Sequence, residues 1–250
     1  MIHIDISYTD TQSYGRNRYW LLILDSYTDY LWSFFLPNKS DSAETVIRWA
    51  TSLEKEKNIK VKTIRGDNSG ENNLLNELLK AHETLNIKFE FTAPNTPQQN
   101  GKVERKFQTL YGKVRSMLNW ARFPVEMRRR LWAQCAKTAT FLENIILKSN
   151  QEITSYEQMH GKASPHIDFL RTFGEVAMVH DAKQIQGKLK NKGKPCIFIG
   201  YPENHAMEVY EFLTLDNQSL ILSRNYIWLN QSYGEFMNLD IERVPRANLI

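Results

Sequence analysis

Three acidic residues stand where a carboxylate could take part in chemistry. Asp5 lies in the alternating stretch Ile2 to Ser7, whose period of two predicts a strand with one polar face. Asp67 follows a second predicted strand directly and is succeeded by turn-forming residues. Glu104 falls near the first turn of a long predicted helix. In a mixed sheet, one strand pair and the helix that crosses its end can bring such residues together.

A cluster of three carboxylates narrows the possible chemistry. Like charges at short range resist joint ionisation, so such a cluster favours a bound cation. Oxygen-only ligands suit Mg²⁺ or Mn²⁺ rather than zinc. Two such ions about 3.5–4 Å apart can clamp the attacking and leaving oxygens of a phosphoryl transfer. This chemistry requires no Cys or Ser nucleophile.

Each acid also has a purely structural explanation. Glu104 would be favoured in the first turn of any helix by the helix dipole. Asp67 could form an Asx-turn, and Asp5 is ordinary on a polar strand face. Only their combination is informative. Three further acids in predicted loops are weaker candidates: Asp10, Asp25 and Asp29.

The elements that must position these acids follow a mixed α/β order. Three apolar strands with short links predict an antiparallel meander, and helix, strand, helix, strand and helix follow them. Such an order predicts one layer of mixed sheet with helices on its faces. We expect residues 1–148 to form this domain, 149–168 a linker, 169–230 a small β-rich module and 231–250 a tail.

Composition sets wider bounds. The chain has 250 residues, a formal net charge of +4 and two cysteines, Cys135 and Cys196. We expect a soluble, intracellular protein without a disulfide framework. No membrane span, secretory signal or zinc module is predicted. A loop with five lysines and no acid, Lys183 to Lys194, is either a solubilising surface or a phosphate contact.

The chain resembles the integrase of copia-type (Pseudoviridae) LTR retrotransposons, within the retroviral integrase superfamily. The resemblance runs from about residue 2 to 228 and is carried by seven segments: IHIDI, NRYWLLILDSYTDYLWSFFL, IRGDNSGEN, TAPNTPQQNGKVERKFQTL, LWAQCAKTATFLENII, FLRTFGEVAMVH and CIFIGY. It implies an RNase H-like mixed sheet flanked by helices, followed by a small C-terminal β module. Asp5, Asp67 and Glu104 match the family's catalytic triad, which holds two Mg²⁺ (or Mn²⁺) ions.

The resemblance also implies DNA contacts. Retroviral relatives often carry lysines one and two turns beyond the catalytic Glu, where Gln108 and Tyr111 stand here. Ser69 replaces a common glycine. DNA contacts are therefore expected at other positions around the helix start and in the lysine-rich loop: Asn100, Lys102, Arg105, Lys106, Lys113, Lys188, Lys190 and Lys192.

The resulting functional hypothesis is a polynucleotidyl transferase that processes element DNA ends and joins them to target DNA. We expect DNA as partner, a homo-oligomer on DNA, and action in the nucleus or in a cytoplasmic particle before nuclear entry. The alternative is a non-catalytic DNA-binding or assembly remnant of a decayed or domesticated element. A third possibility is an RNase H-like nuclease that cuts without joining.

Overall fold

The chain forms two compact units. The computed structural model describes residues 1–93, 100–149, 151–164, 167–180, 192–206 and 208–238. Unit 1 consists of Met1–Val114 and Arg129–His166, and unit 2 consists of Arg115–Arg128 and Ile167–Ile250. Arg115–Arg128 thus belongs to unit 2 by its contacts, although it lies inside the domain that the sequence predicts at residues 1–148.

Unit 1 is built on a five-stranded mixed sheet in the described part of the chain. Its strands are β1 (Ile2–Tyr8), β2 (Tyr19–Asp25), β3 (Leu31–Leu36), β4 (Thr63–Gly66) and β5 (Lys88–Phe91). Their order is β3-β2-β1-β4-β5. The first three strands are antiparallel, whereas β4 pairs parallel with β1 and β5 pairs parallel with β4. This confirms the predicted RNase H-like mixed sheet and places β1 beside β4.

Helices cover the sheet and connect the two units. They are α1 (Ser42–Lys57), α2 (Gly70–Ala81), α3 (Gly101–Trp120), α4 (Val125–Arg130), α5 (Trp132–Ile145) and α6 (Ser155–His160). Helix α6 lies in the segment predicted as a linker. It begins at a capping box, in which the Thr154 hydroxyl accepts a hydrogen bond from the backbone N–H of Glu157.

The two faces of β1 have different roles. Ile2 and Ile4 join an apolar core with buried residues of α1 and α2 such as Val46 and Leu75. Because side chains alternate along a strand, His3, Asp5 and Ser7 lie on the opposite face. Their antiparallel partners on β2 include Trp20, and the Trp20 ring meets the rings of Phe107 and Tyr111 in α3 at 5.2 and 5.1 Å. The polar face of β1 therefore lies toward α3.

Unit 2 carries a five-stranded antiparallel sheet in its described residues. Its strands are β6 (Glu175–His180), β7 (Gly193–Gly200), β8 (Tyr210–Thr214), β9 (Leu220–Ser223) and β10 (Tyr226–Ser232), and α7 (Tyr233–Phe236) follows them. The order is β10-β6-β7-β8-β9. Phe198, Tyr210, Phe212 and neighbouring rings fill the core. The predicted C-terminal β module is thus confirmed.

The end of the β sheet in unit 2 differs in extent from the sequence expectation. Strands β9 and β10 are separated by a turn in which the Ser223 hydroxyl accepts a hydrogen bond from the Asn225 backbone N–H at 3.0 Å. Strand β10 and helix α7 extend into the range predicted as a tail. A capping box starts α7, with Glu235 accepting from the Ser232 N–H at 2.8 Å. Residues 239–250 of that tail lie outside the described residues.

Gly174 explains how Arg115–Arg128 joins unit 2. Its φ of +86° lies in the left-handed region, and an added Cβ would collide with Ala121 and lie 2.9 Å from the Phe123 ring. Its N–H donates to the Phe198 carbonyl at 2.8 Å. Any side chain at residue 174 would push Arg115–Arg128 away from the β sheet of unit 2.

Candidate metal and nucleic-acid site

Asp5 is half-buried on the polar face of β1. Its carboxylate accepts a hydrogen bond from the backbone N–H of Ile6 at 2.8 Å, which fixes its rotamer. Residues Ile2–Ile4 of β1 are buried and the residues from Asp5 to Ser7 are half-buried, so the carboxylate lies at the edge of the core. Strand alternation alone placed this residue correctly.

Asp67 is the first residue after β4 and is held from α2. The buried side-chain amide of Asn72 donates to the Asp67 carboxylate at 2.6 Å and to the Asp67 carbonyl at 3.0 Å. Gly66 makes room for this amide, because a Cβ there would lie 2.8 Å from the Asn72 nitrogen. The Asp67 carboxylate is therefore anchored by a side chain of α2, a contact that the Asx-turn alternative did not contain.

Glu104 is exposed in the first turn of α3. The Asn100 carbonyl accepts from the N–H groups of Val103 and Glu104 at 3.1 and 3.2 Å, and this starts the helix. Val103, Phe107 and Leu110 are buried and fix the orientation of the helix on the sheet. Residues 94–99 of the preceding loop lie outside the described residues.

The three acids are coupled by charge. Burial raises the pKa of Asp5 to about 6, and the charges of Asp67 and Glu104 act in the same direction. The hydrogen bond from Ile6 and the charge of Lys39 oppose this rise. Lys39 is itself paired with Glu71 at 3.0 Å. Three different elements thus supply these acids: a strand, the loop after a second strand and the start of a helix.

The three carboxylates are not arranged as a complete set of metal ligands. Among the described residues, no three His, Cys, Asp or Glu side chains converge at metal-binding distances. The donor chemistry nevertheless fits a hard divalent cation, since all three groups are carboxylates and their mutual repulsion opposes ionisation of Asp5. Glu104 is exposed, so its side chain can turn without disturbing the core, whereas the Asp67 carboxylate is held by Asn72.

Tyr111 and Ser7 join α3 to β1 close to Asp5. The Tyr111 hydroxyl and the Ser7 hydroxyl are 2.8 Å apart, with Tyr111 as donor. Burial raises the pKa of Tyr111, and the Asp5 charge raises it further. Sequence reasoning noted Tyr111 only as a departure from its relatives. The available signal was that Ser7 shares the β1 face with Asp5, while Tyr111 is seven residues from Glu104 on one helix face.

Asn100 is not placed like a DNA contact. It is buried, with 6% of its surface exposed, beside His3. Burial lowers the pKa of His3, and the nearby Asn100 side chain opposes this. Even so, His3 Nδ1 and Asn100 Oδ1 are buried and have no hydrogen-bond partner among the described residues. We interpret the pair as a close contact without a well-formed hydrogen bond.

Three of the lysines expected to contact DNA form an internal ion-pair cluster instead. Lys102 pairs with Asp29 at 2.7 Å, and Lys113 pairs with Glu143 at 2.6 Å. Lys106 bridges both acids, at 3.6 Å to Asp29 and 3.2 Å to Glu143. Lys148 also reaches both, at 3.5 and 3.7 Å. We call these four lysines and two acids the lysine cluster.

The lysine cluster corrects the expected role of these lysines. Glu143 is almost buried, and after the opposing effect of burial the lysines hold the pKa of Asp29 and Glu143 below their usual values. Four lysines against two carboxylates leave an excess of two positive charges. The cluster can attract phosphate through that excess, but its lysines are engaged in holding α3.

The other expected cations fall into two groups. Arg105 is exposed on α3, and Lys192 is exposed just before β7. Lys188 and Lys190 lie outside the described residues.

No helix in the described ranges combines the length and apolarity needed to cross a membrane.

Comparisons with known proteins agree with the sequence resemblance. A family model described as the retroviral polymerase SH3-like domain matches residues 175–239. The chain is 32% identical over 206 residues to the retrovirus-related Pol polyprotein from transposon TNT 1-94 of Nicotiana tabacum. It is 29% identical over 224 residues to that from transposon RE1 of Arabidopsis thaliana. These matches cover 79% and 90% of this chain and 15% of each polyprotein.

Two solved structures show weaker similarity. One is a simian T-cell lymphotropic virus intasome in complex with PP2A regulatory subunit B56 gamma, with 13% identity and a TM-score of 0.49. The match covers 91% of this chain and 75% of that one. The other is the catalytic core domain of BIV integrase, with 15% identity, a TM-score of 0.45, and coverage of 63% and 91%.

Proposed function

Because the chain belongs to the copia-type integrases, within the retroviral integrase superfamily, we propose that it is a metal-dependent polynucleotidyl transferase that joins DNA. It would first hydrolyse a phosphodiester near an element end and free a 3′-OH. That 3′-OH would then attack a phosphate of target DNA, forming one P–O bond as another breaks. No covalent enzyme intermediate is required.

One observation carries this proposal. The three acids come from neighbouring elements of unit 1: Asp5 from β1, Asp67 from the end of β4 beside it, and Glu104 from the start of α3, which is bonded to the same face of β1. An unpaired group of carboxylates raises the free energy of the folded protein, so its presence favours a role in binding a cation. Asp5, Asp67 and Glu104 form no ion pair with the described residues.

These residues would hold two Mg²⁺ or Mn²⁺ ions. The bound ions would supply charge stabilisation at the attacking and leaving oxygens. Asn72 keeps Asp67 in place by donating to its carboxylate. The Ile6 N–H does the same for Asp5, and the buried stripe of α3 fixes the backbone from which Glu104 extends.

DNA binding would rest mainly on phosphate contacts. Arg105 lies one residue from Glu104 and is exposed, so it is the best-placed described cation near the acids. Lys192, with Lys188 and Lys190 of the same loop, would add contacts from unit 2. The lysine cluster would contribute long-range attraction through its excess charge. Binding should therefore be salt-sensitive and weak in sequence preference.

Two further proposals concern assembly and place. Joining two element ends to one target requires more than one active site, so we propose a homo-oligomer on DNA. Since chromosomal DNA would be the target, we propose that the protein acts in the nucleus, arriving from a cytoplasmic particle.

The test is a strand-transfer assay with oligonucleotides of the element end, run in Mg²⁺ and in Mn²⁺. Asp5→Asn, Asp67→Asn and Glu104→Gln should each lower joining by at least about 100-fold, the effect of losing a charge-stabilising group. Asp10→Asn, at an exposed acid after β1, is the matched control. Wild-type joining rates in all three variants would exclude the mechanism.

The same assay separates the alternatives. A non-catalytic DNA-binding or assembly remnant would shift DNA in a salt-dependent way without producing joined products. A nuclease would give cleaved ends and no joined strands. The intact set of three acids favours the joining enzyme over the remnant.

A further inference from the structure

Helix α3 and strand β1 face each other through polar side chains. On β1, Asp5 and Ser7 share one face because they are two residues apart. On α3, Glu104 and Tyr111 share one face because seven residues span about two turns. The Ser7–Tyr111 hydrogen bond therefore ties the strand that carries Asp5 to the helix that carries Glu104.

Like charges on Asp5 and Glu104 oppose bringing these two carboxylates together. The hydrogen bond of 2.8 Å between the Tyr111 and Ser7 hydroxyls holds α3 against β1 two residues beyond Asp5.

Tyr111 is well fixed for such a role. Its ring meets the Trp20 ring at 5.1 Å in an edge-on arrangement and stacks on the Phe107 ring at 6.0 Å. Trp20 is fully buried, and its indole N–H donates to the Ser33 hydroxyl at 2.8 Å. The hydroxyl of Tyr111 is thus held by a rigid aromatic group rather than by a flexible chain.

We propose that the Tyr111–Ser7 hydrogen bond is a positioning device that keeps Glu104 at a fixed distance from Asp5, so that both carboxylates can share a divalent cation. The proposal rests on the proposed function. Tyr111 and Ser7 are positioning residues, since they act through the carboxylates. Hydrogen bonds made directly to metal ligands are worth about 10- to 100-fold in metal affinity, and the Tyr111–Ser7 bond, which is one step removed, should lie at the lower end of that range.

Mn²⁺ affinity of the full chain, followed by electron paramagnetic resonance of the free ion, tests this without relying on activity. We expect Tyr111→Phe and Ser7→Ala to weaken Mn²⁺ binding by about tenfold. Ser7→Thr keeps the hydroxyl and should restore affinity to near the wild-type value. Tyr27→Phe, at a tyrosine with 79% exposure, is the matched control.

A double variant tells whether the two hydroxyls act through one bond. If they do, Ser7→Ala combined with Tyr111→Phe should bind Mn²⁺ no more weakly than either single variant, because the second change has nothing left to remove. Additive losses would overturn the proposal.

The remaining outcomes distinguish a failure of the positioning role from a failure of the proposed function. Equal Mn²⁺ affinity in wild type, Tyr111→Phe and Ser7→Ala would overturn the positioning role while leaving the proposed function standing. A wild-type chain that binds no Mn²⁺ and joins no DNA would overturn the proposed function and this inference with it. Circular dichroism spectra matching wild type would show that the variants fold.

Discussion

The two sides of helix α3 present carboxylates in opposite electrostatic settings. On one side, the charges of Asp67 and Glu104 add to the burial that raises the pKa of Asp5. On the other side, four lysines surround Asp29 and Glu143 and lower their pKa values. All these acids lie in unit 1.

The difference separates an acid that supports the fold from one that is available for chemistry. Glu143 is almost buried and satisfied by three lysines, so its charge stabilises the arrangement of α3 and α5. Asp5 is half-buried and stands among like charges, so its ionised form opposes folding. An acid of the second kind needs an external cation to stabilise its charge.

The largest effect should come from breaking the lysine cluster. Glu143→Gln leaves Lys113 without an acid partner among the described residues and Lys106 and Lys148 with Asp29 alone, and we expect a loss of about 3 kcal/mol in the free energy of unfolding. Urea denaturation at pH 7 measures it. Glu152→Gln, at an exposed glutamate, is the control and should change little. An unchanged urea midpoint for Glu143→Gln would show that the cluster does not support the fold.

The opposite sign is expected at the candidate site. Without divalent ions, Asp5→Asn should stabilise the protein at pH 7 by about 2 kcal/mol, because it removes a charge that burial disfavours and that neighbouring acids repel. The pKa of Asp5 is higher in the folded state, so the folded protein holds more protons. The contribution of Asp5 to stability therefore falls as the pH rises from 3.8 to about 6.

This pH dependence distinguishes the two kinds of acid. The contribution of Asp5 to the fall in stability should vanish in Asp5→Asn. Glu143, whose folded pKa is lowered, contributes stability above its usual value of 4.5 that is lost as the pH falls through its folded pKa. Unfolding free energies measured from pH 8 down to pH 2 check both directions. If Asp5→Asn destabilised the protein at pH 7, Asp5 and Glu143 would not differ in the sign of their contribution to stability.

Divalent ions should stabilise the folded protein through the carboxylates of Asp5, Asp67 and Glu104 and not through the lysine cluster. Mn²⁺ at about 30 times its dissociation constant should stabilise wild type by about 2 kcal/mol, since it binds the folded state alone. Asp5→Asn should lose this gain. Thermal unfolding with and without Mn²⁺ provides the measurement, and a gain of the same size in both proteins would place the ion elsewhere.

A smaller loss is expected from Asp29→Asn. Asp29 is more exposed than Glu143, and its φ of +58° suits asparagine, so the change removes charge without backbone strain. We expect a loss of about 1 kcal/mol in the free energy of unfolding, in line with a partly exposed ion pair. A loss as large as that of Glu143→Gln would mean that burial does not set the strength of these pairs.

The smallest effect concerns DNA binding. Arg105→Gln should weaken DNA binding a few-fold and reduce the salt slope by about one, as for the loss of one phosphate contact. Lys55→Gln, an exposed lysine on α1, removes the same charge away from the site. Fluorescence anisotropy over a series of salt concentrations compares them. Identical slopes for the two variants would remove Arg105 from the DNA interface.

The sequence predicts the elements of the site well because each acid has a local signal. Alternation gives the face of Asp5, turn residues mark the strand end before Asp67, and helical spacing places Glu104. The parallel pairing of β1 with β4 follows from the order of elements. These features depend on neighbours within a few residues, which the sequence displays directly.

Pairing between distant charges could not be predicted in the same way. Lys106 and Glu143 are 37 residues apart, and a run of lysines around Glu104 suggests a DNA contact as readily as an ion pair. One signal was present: Glu143 lies on the buried face of the mostly apolar helix α5, and a buried acid needs a cation. The hydrogen bond from Tyr111 to Ser7 likewise depends on how α3 packs on β1.

The most direct test of the central claim is a crystal structure of the protein soaked in Mn²⁺, with an anomalous difference map. The account predicts anomalous density in contact with the carboxylates of Asp5, Asp67 and Glu104. A map in which bound Mn²⁺ contacts other residues and none of these three would contradict it.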